Sequence, residues 1–457
     1  MHPDAAKNFN EKVEGLFAEV TLKTEQRPAE PPTHMFRPGG YTGQKFSDKD
    51  ILDFKITGQI DQLGRTTARY FEHEGRQFGF EDEKYEELAR LSESVQRTKA
   101  LRDVVSTKWV EDVILDWMKE KHTGAAAPTL TDFLVKRCEE DVKEHEIWFP
   151  VSNLSLESNL PFGNVVFKTI SKEMLDRLEE DAQKAKKQGV EAGLGEEYAA
   201  QVDYYNNRNR QALQGLAAST ITVNGEPRRA FEVALRESER AVTALRVYQV
   251  AATTIPEVTS YCALLGRENR EKIRHLEVES GRISGDAHQV IGQPILNWHL
   301  TDEDISKYRR FGFDNVSELL ALEGRTPFQE VLLDALLLYS RSTREKDLAG
   351  RLVYMLVAME SVLLRTDSEP IQQNVGERMA FMINKNLEER KATIRNLKAA
   401  YKLRSRFVHH GHSIDELETV RAFMLNVWLL FLELAKVSSR FDTKEELIDY
   451  LETLKLS

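Results

Sequence analysis

Hydrophobic side chains recur every three or four residues over the last third of the chain, the spacing that places them on one face of an α-helix. From residue 301 onward only short polar joints interrupt this pattern. Thr326 before Pro327 is a typical helix start, and residues 413–416 have the form of a capping box. The pattern predicts an antiparallel helical bundle, with helices near 302–310, 314–322, 327–343, 346–366, 370–384, 388–409, 413–438 and 443–455.

The first 300 residues mix helical periodicity with short runs of β-branched and aromatic residues. We therefore expect a mainly α protein, in which residues 1–300 form a mostly helical region with a small β component, as one or two subdomains. Residues 301–457 would form the helical bundle. Helices are predicted near 1–20, 81–121 with a break near Val104, 129–145, 171–188, 195–217 and 227–252. A small sheet or hairpin is predicted at 54–80, strands at 147–151, 164–168, 260–265 and 275–279, and a Pro/Gly-rich loop at 26–43.

Composition narrows the class of protein. The net charge of −11 argues against nucleic-acid binding over the whole surface, so any contact with RNA must be local. Two cysteines without CxxC spacing argue against a disulfide framework or a thiolate zinc site. The N-terminus has no apolar signal region, and the longest apolar run, 352–359, is too short to cross a bilayer. We expect a cytoplasmic protein with no membrane association.

One segment departs from this acidic background. Residues 391–411 contain six Lys or Arg and two His but no acidic residue. On a helical projection the apolar residues fill one half of the segment and the basic residues the other. Arg404 falls in the middle of the apolar half, where an Arg is rarely tolerated unless it pairs with an acidic residue or has a function. Gly411 follows as a helix C-cap. The basic half of the helix comprises Lys391, Arg395, Lys398, Lys402, Arg406 and His409.

Arg404 and His409 are the residue types that RNA cleavage needs. A histidine that titrates near neutral pH can move the proton of a 2′-hydroxyl, and a guanidinium can hold the oxygens of the phosphorane. The other interpretation is that Arg404 pairs with a core acid and that the histidines form a solvated helix end. Residue chemistry alone favours neither.

The stretch from Arg404 to His409 matches the R-x4-6-H signature of HEPN domains, a superfamily of helical modules that includes many metal-independent ribonucleases. Tyr401, Gly411, Ser413 and the Ala-Met-Glu-Ser-Val-Leu-Leu run at 358–364 resemble its Apea-like branch, found in prokaryotic defence and toxin proteins. The resemblance covers about a third of the chain, with a vaguer similarity around 146–170.

The resemblance implies an endoribonuclease effector without a cofactor, acting in abortive infection against phage or as a toxin. Arg404 would stabilise the phosphate, His409 would be the general acid/base, and Glu360 would help to position the motif. His410 satisfies the signature equally well in its R-x5-H form. The basic face, Lys391, Arg395, Lys398, Lys402 and Arg406, would bind RNA.

Partners and a second function also follow from the resemblance. It implies a homodimer in which the motifs of two subunits line one cleft, and an N-terminal region that senses a phage-derived trigger or a regulatory partner. The alternative is a non-catalytic HEPN module for dimerisation, nucleotide binding or complex assembly.

Three details stay open at the level of sequence. On a continuous helix Arg404 and His409 lie about 140° apart, so convergence requires the helix to loosen near Val408 or a second protomer to complete the pocket. Glu360 has two candidate partners, Arg404 and Arg378. The group His409, His410 and His412 resembles a metal site only weakly, because Asp415 is the sole further candidate ligand, and we expect no metal. There is also no P-loop, nucleophile elbow or HExxH motif.

Overall fold

The computed structural model describes residues 3–23, 58–61, 63–124, 128–255, 261–266, 272–279, 282–289, 298–345, 347–366, 368–410 and 413–456. The predicted loop at 26–43 lies outside these residues. The chain divides into two compact units: unit 1 comprises residues 1–145 and 222–233, and unit 2 comprises residues 146–221 and 234–457. Each unit has its own hydrophobic core.

Within its described residues, unit 1 combines a small antiparallel sheet with four helices. The strands β1 (Thr21–Leu22), β2 (Gly58–Ile60), β3 (Thr66–His73) and β4 (Arg76–Glu81) lie in the order β1-β4-β3-β2, which confirms the hairpin predicted at 54–80. Helix α1 (Pro3–Phe17) confirms the first predicted helix. The break predicted near Val104 separates α2 (Asp82–Gln96) from α3 (Thr107–His122), and α4 (Leu130–Asp141) follows.

The separate piece of unit 1, residues 222–233, is held by Glu226. Its backbone N–H donates to the carbonyl of Val104 at 2.8 Å, and its carboxylate accepts from the backbone N–H of Ser106 at 3.1 Å. The same carboxylate accepts from the N–H groups of Arg228 and Arg229, at the start of helix α7 (Pro227–Leu245). An acidic side chain is favourable there because the N–H groups of a first helical turn have no helical partners.

Unit 2 contains a five-stranded sheet that the sequence predicts only in part. Its strands β5 (Lys143–Ser152), β7 (Leu160–Phe162), β8 (Val165–Thr169), β9 (Ala217–Gly225) and β10 (Ala263–Leu264) lie in the order β10-β5-β9-β8-β7. Strands β6 (Leu154–Leu156) and β13 (Trp298–Leu300) form a parallel pair, and β11 (Lys272–Glu279) with β12 (Arg282–Gln289) forms a hairpin. Helices α5 (Lys172–Glu191) and α6 (Gly195–Leu213) lie between β8 and β9 along the chain.

The predicted helices of the last third are present. Thr301 with Asp304 and Thr326 with Gln329 form capping boxes at the starts of two of them. The capping box predicted at 413–416 is wrong: the helix begins at Leu417 without a side-chain cap, and the Glu416 carboxylate instead accepts a hydrogen bond from Arg406 at 2.9 Å. The helices are α8 (Asp302–Arg309), α9 (Phe313–Ala321), α10 (Pro327–Ser342), α11 (Leu348–Leu363), α12 (Ile371–Ile383), α13 (Leu387–His410), α14 (Leu417–Val437) and α15 (Lys444–Leu456).

The boundary predicted at residue 300 falls inside unit 2. Phe162 of β7 packs on Phe313 of α9, with ring centroids 4.7 Å apart. In the turn after β7, Gly163 has φ +62 and donates its backbone N–H to Ser317 Oγ at 2.9 Å. A Cβ at this glycine would lie 2.8 Å from Leu320, so the turn could not approach α9 as closely with another residue. The strands and the last eight helices share one core because this apolar sheet face needs a partner surface.

The fold is mainly α, with fifteen α-helices in the described part of the chain. None of the helices there is long and apolar enough to span a bilayer.

Candidate functional site

The helix that carries the Arg–His motif is unbroken. Helix α13 runs from Leu387 to His410 without a gap, so it does not loosen near Val408. Arg404 and His409 therefore point in directions about 140° apart, and within one chain they do not share a face. The helix therefore does not provide the first of the two routes to convergence that the sequence leaves open, a helix that loosens near Val408.

The end of α13 extends past the core. Leu397, Ala400, Tyr401 and Leu403 are buried, whereas all seven residues from Arg404 to His410 are exposed or half-buried. Val408 lies on the same side of the helix as Tyr401 and is nevertheless 49% exposed. The expectation that Arg404 lies on a buried face is therefore wrong: Arg404 is exposed because the neighbouring helices no longer cover this part of α13.

Glu360 has a different partner from either of those expected. Oε1 of Glu360 accepts a hydrogen bond of 2.8 Å from the hydroxyl of Tyr401, which joins α11 to α13. Among the described residues Arg404 makes no ion pair with it, although Arg404 lies close enough to Tyr401 for its charge to act on that phenol. Burial and the charge of Glu360 together raise the pKa of Tyr401 above its usual range, so the phenol is a hydrogen-bond donor at neutral pH.

Arg378, the other candidate partner of Glu360, pairs with two other carboxylates. Its guanidinium is 3% exposed and pairs with Glu369 at 2.7 Å and with Glu452 at 2.8 Å. It also donates to the carbonyl of Leu363, the last residue of α11, at 2.7 Å. Arg378 therefore ties three elements of the bundle together and is not the partner of Glu360.

The two described histidines of the motif lie at the exposed end of α13. The ring centroids of His409 and His410 are 6.4 Å apart, and both side chains are exposed. Gly411 and His412 lie outside the described residues, and so does the predicted C-cap at Gly411. No group of three or more His, Cys, Asp or Glu within the described ranges is arranged to hold a metal ion.

The predicted basic face is on the surface, but some of its residues pair with carboxylates and others do not. Lys391 pairs with Glu388 at 2.9 Å, and Arg406 is half-buried beside Glu416. Arg395, Lys398 and Lys402 are exposed and have no carboxylate partner in the part of the chain that the structure describes. These three cations are therefore the members of the face that are available to a phosphate backbone.

Comparison with protein-family models, with curated proteins and with solved structures finds no match. The resemblance to HEPN proteins therefore depends on the sequence, in the stretch from Tyr401 to Ser413, in the run at 358–364 and, more vaguely, around 146–170.

The role of Tyr401 is what analysis of the sequence missed. Tyr401 lies in the apolar half of α13, so the hydrophobic pattern of the sequence predicts only that it is a core residue. The HEPN resemblance includes Tyr401, and its spacing of three residues from Arg404 places both on one helix face, but neither signal indicates its hydrogen bond to Glu360. Glu360, isolated within an apolar run, is the matching signal on α11.

Proposed function

We propose that the protein is an endoribonuclease effector that cuts RNA without a metal ion. The observation that carries the proposal is the exposed end of α13, where Arg404 and His409 are both accessible. Arg395, Lys398 and Lys402 on the same helix have no carboxylate partner among the described residues. His409 would take the proton of a 2′-hydroxyl as its oxygen bonds to phosphorus, and would return a proton to the 5′-oxygen as the bond from phosphorus to that oxygen breaks. The Arg404 guanidinium would hold the non-bridging oxygens as charge develops on them. Internal attack by the 2′-hydroxyl has no need of a metal-bound water.

A second copy of the chain would complete the site. Since Arg404 and His409 diverge on one helix, a two-fold axis beside the end of α13 would bring the motif of each subunit to one cleft. Val408, half exposed on this side, offers apolar surface for such an interface. Glu360 would act through Tyr401 as a positioning residue, since it bonds to α13 one turn before Arg404.

The resemblance to Apea-like HEPN proteins supports a role in anti-phage abortive infection or as a toxin in the cytoplasm. The remainder of the chain, which includes unit 1, would then sense a phage-derived trigger or a regulatory partner.

The test is cleavage of purified tRNA and mRNA by the full-length protein in EDTA, with chemical identification of the ends. Wild type should give 2′,3′-cyclic phosphate or 3′-phosphate ends, and Arg404→Ala and His409→Ala should each lose cleavage. Arg310→Ala removes an exposed arginine just after the end of α8 and should cut normally. His410→Ala decides which histidine acts.

Two results would contradict the proposal. Cleavage that persists in both folded variants would remove Arg404 and His409 from the mechanism, and activity lost in EDTA and restored by zinc or manganese would point to the histidines as metal ligands. A dimer that cuts no RNA would favour the non-catalytic HEPN module.

A further inference from the structure

A cleft of about 390 Å³ lies in unit 1, between helix α4 and the turns at 97–106 that join α2 to α3. Leu101 and Val104 line the side formed by the turns. Leu134, Val135 and Cys138 line the side formed by α4, where their spacing of three or four residues places them on one face of the helix. The volume of the cleft is in the range of sites that bind small organic molecules.

The walls of the cleft are apolar from the core of unit 1 outward. Leu101 and Leu134 are buried in that core, and Val104 and Cys138 are half-buried against it. Val135 lines the same cleft and is 59% exposed. A ligand with an apolar body would therefore gain free energy by covering this surface, because the contact removes apolar area from water.

The turns that form one wall are held by hydrogen bonds within unit 1. The side-chain amide of Gln96 donates to the carbonyl of Arg102 at 2.9 Å and to that of Val105 at 3.1 Å. The carbonyl of Val104 accepts from the backbone N–H of Glu226 at 2.8 Å. Because this wall is already ordered, a ligand would not have to order it on binding.

One carboxylate lies at the cleft. Glu139, four residues after Val135 on α4, is the charged residue among the described lining residues. Its side chain is exposed and makes no ion pair with a described residue. The carboxylates of Glu140 and Asp141, in contrast, each lie 3.6 Å from the guanidinium of Arg137. Glu139 is therefore the carboxylate of this segment that is available to a cationic ligand.

The two other polar side chains of the described lining are neutral. Burial, and then the charges of Asp141 and Glu139, raise the pKa of the Cys138 thiol to about 11, so the thiol is protonated at neutral pH. The hydroxyl of Thr131 accepts a hydrogen bond of 3.1 Å from the side-chain amide of Asn10. The described lining thus combines one negative charge with an uncharged and largely apolar surface.

We propose that this cleft binds an apolar organic cation, a small molecule in which an ammonium group is attached to a hydrocarbon body. The body would cover Leu101, Val104 and Leu134, and the ammonium group would pair with the carboxylate of Glu139. Such charge-assisted pairs are stronger than neutral hydrogen bonds, and the same carboxylate repels an anion of equal shape. The proposal does not depend on nuclease activity.

Isothermal titration of the full-length protein with butylammonium, octylammonium and octanoate tests the proposal. Each added methylene should tighten binding about three- to fourfold, so octylammonium should bind on the order of 100-fold more tightly than butylammonium. Octanoate has a hydrocarbon body of nearly the same length and the opposite charge. It should bind roughly tenfold more weakly than octylammonium, because the carboxylate attracts one charge and repels the other.

Glu139→Lys reverses the charge at the cleft and should lower the ratio of octylammonium affinity to octanoate affinity. The side chain is exposed, so the variant should fold normally. Glu140→Lys makes the same change at the next residue, which is exposed and is not among the described lining residues, and it should keep the wild-type ratio.

A ratio that falls in Glu139→Lys and not in Glu140→Lys supports the proposal, and a ratio that falls equally in both variants, or in neither, overturns it. Wild type that binds none of the probes, that binds octanoate as tightly as octylammonium, or whose affinity does not depend on chain length would overturn it as well. None of these results bears on the nuclease proposal, because every variant keeps Arg404 and His409.

Discussion

The hydroxyl of Tyr401 donates a 2.8 Å hydrogen bond to Oε1 of Glu360, and this bond joins the helix with the Arg–His motif to the most apolar helix of the bundle. Tyr401 is buried and Glu360 is half-buried. The bond therefore gives the carboxylate a partner in a place where an unpaired charge would destabilise the fold. It also fixes α13 one turn before its exposed end.

Tyr401→Phe should lower the free energy of unfolding by about 1–2 kcal/mol, because it removes the donor and leaves the carboxylate without that bond. Urea unfolding measures the change. Tyr450→Phe alters a tyrosine that is 41% exposed and should have little effect. Additive effects of Tyr401→Phe and Glu360→Gln in the double variant would show that the bond is not the cause.

Lys398→Ala/Lys402→Ala should weaken RNA binding and reduce the dependence of log affinity on log salt by roughly one unit per lost phosphate contact. RNA with 2′-O-methyl groups lacks the attacking hydroxyl and allows binding to be measured without cleavage. Lys184→Ala/Lys187→Ala on α5 removes the same charge from another exposed surface. An unchanged slope in the α13 variant would mean that these lysines only solubilise the protein.

Val408→Asp should convert a dimer to a monomer by light scattering and abolish RNA cleavage. Since Val408 is 49% exposed, the new charge does not enter the core, and the thermal unfolding temperature should stay close to that of wild type. Val190→Asp, at a valine 46% exposed on α5, is the matched control and should remain dimeric. Full activity of a wild-type monomer under assay conditions would contradict the shared site.

Mixing two inactive proteins tests the shared site directly, provided that the subunits exchange. Arg404→Ala and His409→Ala chains should regain some activity together if each cleft needs only one intact Arg and one intact His. If both copies of either residue are needed, mixing restores nothing.

Glu369→Gln should destabilise the protein at neutral pH, and the deficit should shrink in acid. Hydrogen bonds from Arg378 lower the pKa of Glu369 from 4.5 to about 2 in the folded protein. A lowered folded-state pKa contributes stability that is complete above the unfolded pKa and is lost as pH falls through the folded pKa. Urea unfolding of both proteins between pH 7 and about pH 2 should therefore show curves that converge between 4.5 and about 2. The exposed Glu389→Gln variant should show no such convergence.

Local periodicity predicted the helices of the last third because each of them buries one regular stripe against its neighbours. It failed where the structure depends on distant partners. Strand β9, which includes Thr220 and Thr222, was not predicted, because its start was assigned to a helix and its pairing partner β8 lies far away along the chain. The boundary at residue 300 failed for the same reason, since the contact between Phe162 and Phe313 has no local signal.

At the candidate site, the position of the motif at the end of a helix was predictable from its basic and apolar faces. The exposure of Arg404 was not, because a helical projection does not show where a helix extends past its neighbours. The capping box predicted at 413–416 is absent because the Glu416 carboxylate accepts a hydrogen bond from Arg406 instead. No rule of sequence spacing identifies Arg406 as the competing donor.

The discontinuous core of unit 2 has a consequence for synthesis of the protein on the ribosome. Phe162 is completely buried, yet its ring packs on that of Phe313, which follows about 150 residues later in the chain. At ordinary rates of translation the two sides of this core emerge about 10–30 s apart. For that interval Phe162 lacks the ring on which it packs, so chaperones that bind apolar segments during translation should help this chain to fold correctly.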